Sequence, residues 1–197
     1  MFERAAIRAQ LPVVYTQGFN PHPVISLPLP RPVGVEGDDE LFCFRVRTSK
    51  NSYDTESFKA ALSAQFPAGI TIKSIFIEPS EKVPVPLAAE YFIPLKKALL
   101  DDNVRIQTLK SAVNGCLTAK SLIVRRDERK ANRRIKEVDV RCFIDDIIFS
   151  LNGINIRCKI SGGSIRIDEI LTFLALGIDD LDEPVKRLSV QWNIKNV

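Results

Sequence analysis

Along this chain of 197 residues the apolar positions recur either every three to four residues or every second residue, and each change of period marks a new element. Residues 2–10 place Phe2, Ala6 and Ala9 on one side of a helix that Leu11-Pro12 stops. Val13-Val14-Tyr15-Thr16 has strand character. Pro28, Pro30 and Pro32 exclude a central strand from 24–35 and suit an edge or a surface strap. Residues 41–47 turn from an apolar run into alternation, a strand with one wet face in its later half. Residues 54–66 read as a helix, because Asp54 can cap it and Phe58, Ala61, Leu62 and Phe66 fall at helical spacing. Ile70, Ile72, Ile75 and Ile77 predict a strand whose phase shifts near Lys73-Ser74, as at a bulge.

Proline and charge fill 79–86, which reads as a linker. A second series follows: a strand over 89–95, a helix over 101–117 with acids at its start, and a strand over 122–124 that runs into a basic segment. Residues 138–143 alternate, 147–151 and 154–160 form a hairpin around Asn152-Gly153, 167–176 is a helix and 187–194 a final strand. The element order predicts an α+β protein of two tandem ferredoxin-like (βαββαβ) units. The first, 1–80, lacks its N-terminal strand. The second, 87–197, carries the basic arm and an inserted hairpin.

Composition narrows the class. Hydrophobic residues at 45% and charged residues at 26% are those of a globular protein able to bury a core. No stretch approaches the roughly 20 apolar residues that span a bilayer, and Glu3, Arg4 and Arg8 interrupt any signal-like run, so a cytoplasmic location is expected. Cys43, Cys116, Cys142 and Cys158 stand far apart among apolar neighbours, without a C-x-x-C pair. They read as buried hydrophobes, and neither a metal nor a cofactor is expected. The net charge is only +4. Between Arg125 and Lys136, however, seven basic residues outnumber two acids for +5, so the remainder sums to −1.

The chain's one histidine, His22, sits in Gln17-Gly18-Phe19-Asn20-Pro21-His22-Pro23. Each proline pins its own φ and pushes the residue before it into extended geometry, which leaves Asn20 and His22 few conformations. This run, together with Phe2-Glu3-Arg4-Ala5, with Pro32-x-Gly34-Val35-Glu36 and with Val138-Asp139-Val140-Arg141, resembles the radical SAM-linked protein family. Ser161-Gly162-Gly163-Ser164 with Asp168-Glu169-Ile170-Leu171 extends the likeness over nearly the whole chain. That family comprises domains found beside, or fused to, radical SAM proteins, so the resemblance implies a radical SAM enzyme as partner. The cluster-binding three-cysteine motif is absent. Family members usually begin with a strand ahead of the helix that here starts at Phe2, so the likeness implies a first unit missing an edge strand.

Two readings compete at each candidate site. His22 is either a loop residue stacked on Tyr15 or Phe19, or a polar head that binds or catalyses. The residues from Arg125 to Lys136 are either a solvated hairpin or an arm that contacts phosphate. Ser161-Gly162-Gly163-Ser164 lacks the P-loop lysine and reads better as a turn than as an anion cradle. Asp139 and Arg141 share a strand face where they can pair, and Asp145-Asp146 and Asp179-Asp180 look like turns. The leading expectation is a non-catalytic RNA-binding module, with tRNA as a guess at the ligand. Arg125, Arg126, Arg129, Lys130, Arg133 and Arg134 would supply the basic contacts, with Phe19 stacking and Asn20 and His22 positioning. The alternatives are a metal-independent endoribonuclease like the CRISPR repeat-processing nucleases, with His22 as acid or base, and a pure protein–protein adaptor.

Overall fold

The computed structural model describes residues 1–47, 54–79, 82–127, 135–160 and 162–194. The chain runs α1 (Phe2–Arg8), β1 (Ile25–Ser26), β2 (Val35–Gly37), β3 (Cys43–Phe44), α2 (Thr55–Ser63) and β4 (Pro86–Pro94). It continues α3 (Lys97–Leu100), α4 (Asn103–Thr118), β5 (Ile123–Asp127), β6 (Ile135–Asp139), β7 (Ile144–Ser150), β8 (Gly153–Lys159), α5 (Ile167–Phe173) and β9 (Val185–Trp192). Both capped helices start where their aspartates allow. Asp54 accepts from the Glu56 N–H at 3.0 Å, and Asp102 from those of Val104 and Arg105 at 2.9 and 3.1 Å. The chain is a mixed α+β protein that divides into two compact units, Met1–Pro28 with Leu41–Val83, and Leu29–Glu40 with Pro84–Val197.

In the first unit a small cluster of Ala6, Leu11, Val13 and Leu62 is buried, with Phe44 and Phe66 packed against it. The Phe2 ring adds to this, 4.8 Å from Phe42 and 5.5 Å from Phe66. β1 and β3 pair antiparallel over only two rungs, Ile25↔Phe44 and Ser26↔Cys43. The strand expected over 70–77 does not form a ladder among the described residues. Its apolar positions are used differently: Ile72 and Ile75 pack against the cluster while Phe76 stays exposed.

The second unit holds a five-stranded sheet in the order β2-β9-β4-β8-β7, in which β2 is parallel to β9 and every other pair is antiparallel. β8 lies between β4 and β7, the split β-α-β order, and β9 returns to the far side of β4. Ile93, Ile154 and Ile156 of the sheet share one buried cluster with Leu109 and Val113 of α4 and Ile170 of α5.

The two hairpins of this unit exchange the roles that the sequence suggested. Residues 122–124 and 138–143 were expected in the main sheet, with 147–160 inserted. Instead β5 and β6 pair only with each other, and β7–β8 forms the sheet margin. Burial explains the difference. β7 and β8 bury Ile144, Ile147, Ile154, Ile156 and Cys158 on one face, whereas β5 and β6 bury no residue fully. Leu151 and Asn152 form the β7–β8 turn, and Gly153 opens β8. A Cβ there would meet the Ile93 carbonyl oxygen at 2.1 Å, so close strand approach accounts for this glycine.

Residues 29–40, which the sequence grouped with the first unit, belong to the second. β2 pairs with β9 through Val35↔Val185 to Gly37↔Arg187. Arg187, only 1% exposed, then locks the strap: its Nε donates to Glu40 at 2.9 Å, one Nη2 hydrogen bond goes to the Leu29 carbonyl at 2.8 Å, and a second goes to Glu40. Gly37 makes room for this, because a Cβ there would sit 2.0 Å from the Glu40 carboxylate. Burial alone would lower the Arg187 pKa; its bonds to Glu40 and Tyr91 outweigh that and raise it.

Candidate nucleic-acid interface

The proline-bounded loop is closed at its base by backbone. The Thr16 N–H donates to the His22 carbonyl at 2.8 Å, and the His22 N–H donates to the Thr16 hydroxyl at 3.0 Å. Tyr15 bridges Pro23, and the Val24 N–H reaches the Val14 carbonyl at 2.8 Å. Pro23 is buried, anchoring the return. Gly18 has φ 140°, a value that side chains strain to adopt, so the glycine sets the turn. At the tip Gln17, Gly18, Phe19, Asn20, Pro21 and His22 are all exposed, Phe19 completely so. Among the described residues no ring stacks on Phe19, and Tyr15 is half-buried against the apolar cluster. The stacked-histidine reading therefore finds no support. Among the described residues no carboxylate bonds the His22 imidazole, whose residue is held by its backbone alone.

The basic segment starts on β5 in the other unit. Register places Arg125 opposite Glu137 and Arg126 opposite Lys136. Arg125 Nε meets Glu137 at 3.1 Å, but both side chains are largely exposed, and such a pair contributes about 0–1 kcal/mol. Arg126 is on the opposite face and differently employed. Its Nε and Nη2 each donate to Glu169 at 2.7 Å, and Nη2 also reaches the Ser164 carbonyl at 2.8 Å. Glu169 accepts in addition from the Arg166 N–H at 2.9 Å, in the first turn of α5. Burial would raise the Glu169 carboxyl, but the Arg126 and Arg166 bonds dominate and hold it below the usual carboxylate range. The same fork pushes the Arg126 pKa up. Arg129, Lys130, Arg133 and Arg134 lie outside the described residues, as does Ser161.

Residues 162–164, expected as a turn in preference to an anion cradle, make contacts within the protein. Gly162 has φ 66°, Gly163 lies against Phe143, and the Ser164 carbonyl is taken by Arg126. Asp139 and Arg141 do not pair side chain to side chain. Asp139 accepts from the Leu122 and Arg141 N–H groups at 2.9 and 3.0 Å, and these bonds hold its carboxyl low. The Arg141 guanidinium instead reaches the Ile144 and Leu117 carbonyls. Asp145, expected in a turn, is in β7 and pairs with Lys159 at 2.7 Å and Arg157 at 3.4 Å. Asp180 holds Arg105 at 2.8 Å.

Sequence reasoning missed Arg187 and Glu40, although a signal existed: Arg187 has the buried parity of β9, two residues after Val185. It also missed the balanced network on the outer face of the sheet, where Arg157 meets both Glu90 and Asp145. Among the described residues no group of His, Cys, Asp and Glu is placed to hold a metal. All four cysteines are free, and burial pushes the Cys158 thiol up to about 12. No described helix is long and apolar enough to cross a membrane.

Two sets of candidate residues thus sit on two units: an exposed, preformed loop and a basic two-stranded ribbon. The family model described as "Uncharacterized protein conserved in bacteria (DUF2344)" matches residues 1–168. No curated protein and no solved structure matches the chain.

Proposed function

The chain belongs to this family of uncharacterized proteins conserved in bacteria, and we propose that it is a non-catalytic RNA-binding module that works beside a radical SAM enzyme. One observation carries the reading. Phe19 is fully exposed at the tip of a loop whose base is fixed by three backbone-donated hydrogen bonds and whose return is anchored by buried Pro23. An apolar ring held rigidly in water has no folding benefit, but it suits stacking on an unpaired base, which contributes about 1–3 kcal/mol. Asn20 and His22 flank it with polar groups that can meet a base edge or a phosphate.

The basic segment supplies the charge. Arg125 has only an exposed partner that a phosphate can displace. Arg129, Lys130, Arg133 and Arg134 follow it in the sequence. In this reading the two units are tandem ferredoxin-like folds, a proposal supported in the second by its strand order. The partner rests on the sequence resemblance. Among the described residues no carboxylate meets His22, and in this reading it binds rather than transfers protons.

The test is filter retention of total cellular RNA across a salt series. Wild type should bind with a steep salt dependence, Phe19→Ala should weaken binding about ten-fold, and Arg133→Glu/Arg134→Glu should abolish it. No retention at low salt refutes the RNA reading and leaves the adaptor role, which pull-down of a radical SAM protein would then probe. Cleavage of RNA lost in His22→Ala with binding kept would instead establish the nuclease.

A further inference from the structure

Arg126 differs from every other arginine of the basic segment that the structure describes. Arg125 points its guanidinium at an exposed cross-strand glutamate, with the two side chains 75% and 60% exposed. Arg126 is only 19% exposed and its Glu169 partner 10%, and every bond of its fork is to protein. A guanidinium so engaged has little left to offer a phosphate.

Its position in the ribbon suggests another task. Among the described residues β5 and β6 pair with no third strand, and a lone two-stranded ribbon is marginal in water. The end nearest the sheet is fixed by the Val140 N–H donating to the Leu122 carbonyl and the Leu122 N–H donating to the Asp139 carboxylate. Val124 and Val138 add partly buried contacts there. Arg126 acts at the other end, one rung from the last described pair, Asp127↔Ile135. It ties that end to the residue that caps the first turn of α5, a partly buried, charge-assisted and bidentate connection.

We infer that Arg126 is a positioning residue, not a phosphate ligand: through Glu169 and the Ser164 carbonyl it clamps the far end of the β5–β6 ribbon to α5, so that Arg125 and Lys136 of the ribbon are held in place for a polyanion. The inference rests on the RNA-binding reading, but the clamp itself can be measured without RNA. Its value is entropic. Cations on an undocked ribbon must be ordered when they bind, whereas cations on a clamped ribbon are already placed.

Two substitutions separate this from a direct contact. Glu169→Gln removes an acid and raises the net charge, which by simple attraction strengthens binding to a polyanion. The clamp predicts the reverse. Arg126→Lys keeps the charge but loses the fork; a phosphate contact tolerates it, and the clamp does not. Amide hydrogen exchange and RNA filter retention are measured on both, with β4 and β8 as internal standards.

In each variant exchange within 123–127 and 135–139 should accelerate at least ten-fold while β4 and β8 stay protected, and RNA affinity should fall about five- to ten-fold. Unchanged ribbon protection overturns the clamp. Lost protection with equal or tighter RNA binding overturns its role in presentation. Wild-type protein that retains no RNA refutes the RNA reading, and exchange then decides the clamp alone.

Discussion

Removing the Glu40 carboxylate should unfasten the strap 29–40 and destabilise the second unit. Arg187 is 1% exposed and gives two of its hydrogen bonds to Glu40, leaving the Leu29 carbonyl and Tyr91 as partners. Breaking a buried ion pair by removing one member costs about 3–5 kcal/mol, because the other charge stays uncompensated. The Glu40 side chain is 31% exposed, so water can reach the vacated edge, and the lower end, about 3 kcal/mol, applies to Glu40→Ala. Replacing both members, Glu40→Leu together with Arg187→Met, removes both charges and should be near neutral, since apolar replacement of a buried ion pair often is. The assay is urea unfolding followed by the chain's one tryptophan, Trp192, which lies in β9 and so reports this unit. With a slope of about 1–3 kcal/mol per molar urea, Glu40→Ala should lower the midpoint by roughly 1–3 M. The pair would be a surface ornament if Glu40→Ala moved the midpoint by less than about 0.3 M. A loss in the double variant as large as in Glu40→Ala would show that packing, not charge, holds the strap.

Gly153→Ala should be among the most damaging small substitutions, about 2 kcal/mol or more by the same tryptophan assay, because its Cβ would meet the Ile93 carbonyl at 2.1 Å; a neutral result would mean that the strands separate easily. Thiol titration of the native protein should modify exposed Cys142 first, with Cys116 and Cys158 reacting only on unfolding, since both are buried and burial raises their pKa values. Cys142→Ser should abolish the fast phase and leave half-buried Cys43 to react more slowly; fast reaction of Cys116 or Cys158, located by mass spectrometry, would contradict their burial. The Glu169 carboxyl is depressed in the folded state, so its contribution is complete above the unfolded carboxyl value of about 4.3 and is lost as pH falls through the lower folded value. The Arg126 Nε–H resonance should therefore be protected near pH 6 and lose that protection only as pH falls through the depressed Glu169 value; equal protection in Glu169→Gln would refute the pairing.

Local chemistry was the most readable part of this sequence. Asp54 with Phe58, Ala61, Leu62 and Phe66 specified α2, which forms over Thr55–Ser63. The glycine and prolines of 17–23 specified a constrained turn, and the loop is closed as those residues require. What failed was tertiary. Both hairpins of the second unit alternate, and only the inward placement of Arg126, where β7 and β8 set isoleucines, separates the ribbon from the sheet. The sequence offered a count of charges for Arg125 to Lys136 but no hint that Glu169, 43 residues on, would claim Arg126. Glu40 and Arg187 are 147 residues apart, a separation at which no periodicity speaks. The strand pattern of 70–77 misled because alternation serves packing against a cluster as well as pairing in a ladder.

The most direct measurement is ultraviolet crosslinking of the intact protein to cellular RNA, with the crosslinked peptides located by mass spectrometry. The account predicts adducts on Phe19 or its immediate neighbours in 17–23 and on peptides spanning 125–136, both lost at high salt and the first lost in Phe19→Ala. Crosslinks confined to other surfaces, or none at low salt, would contradict it.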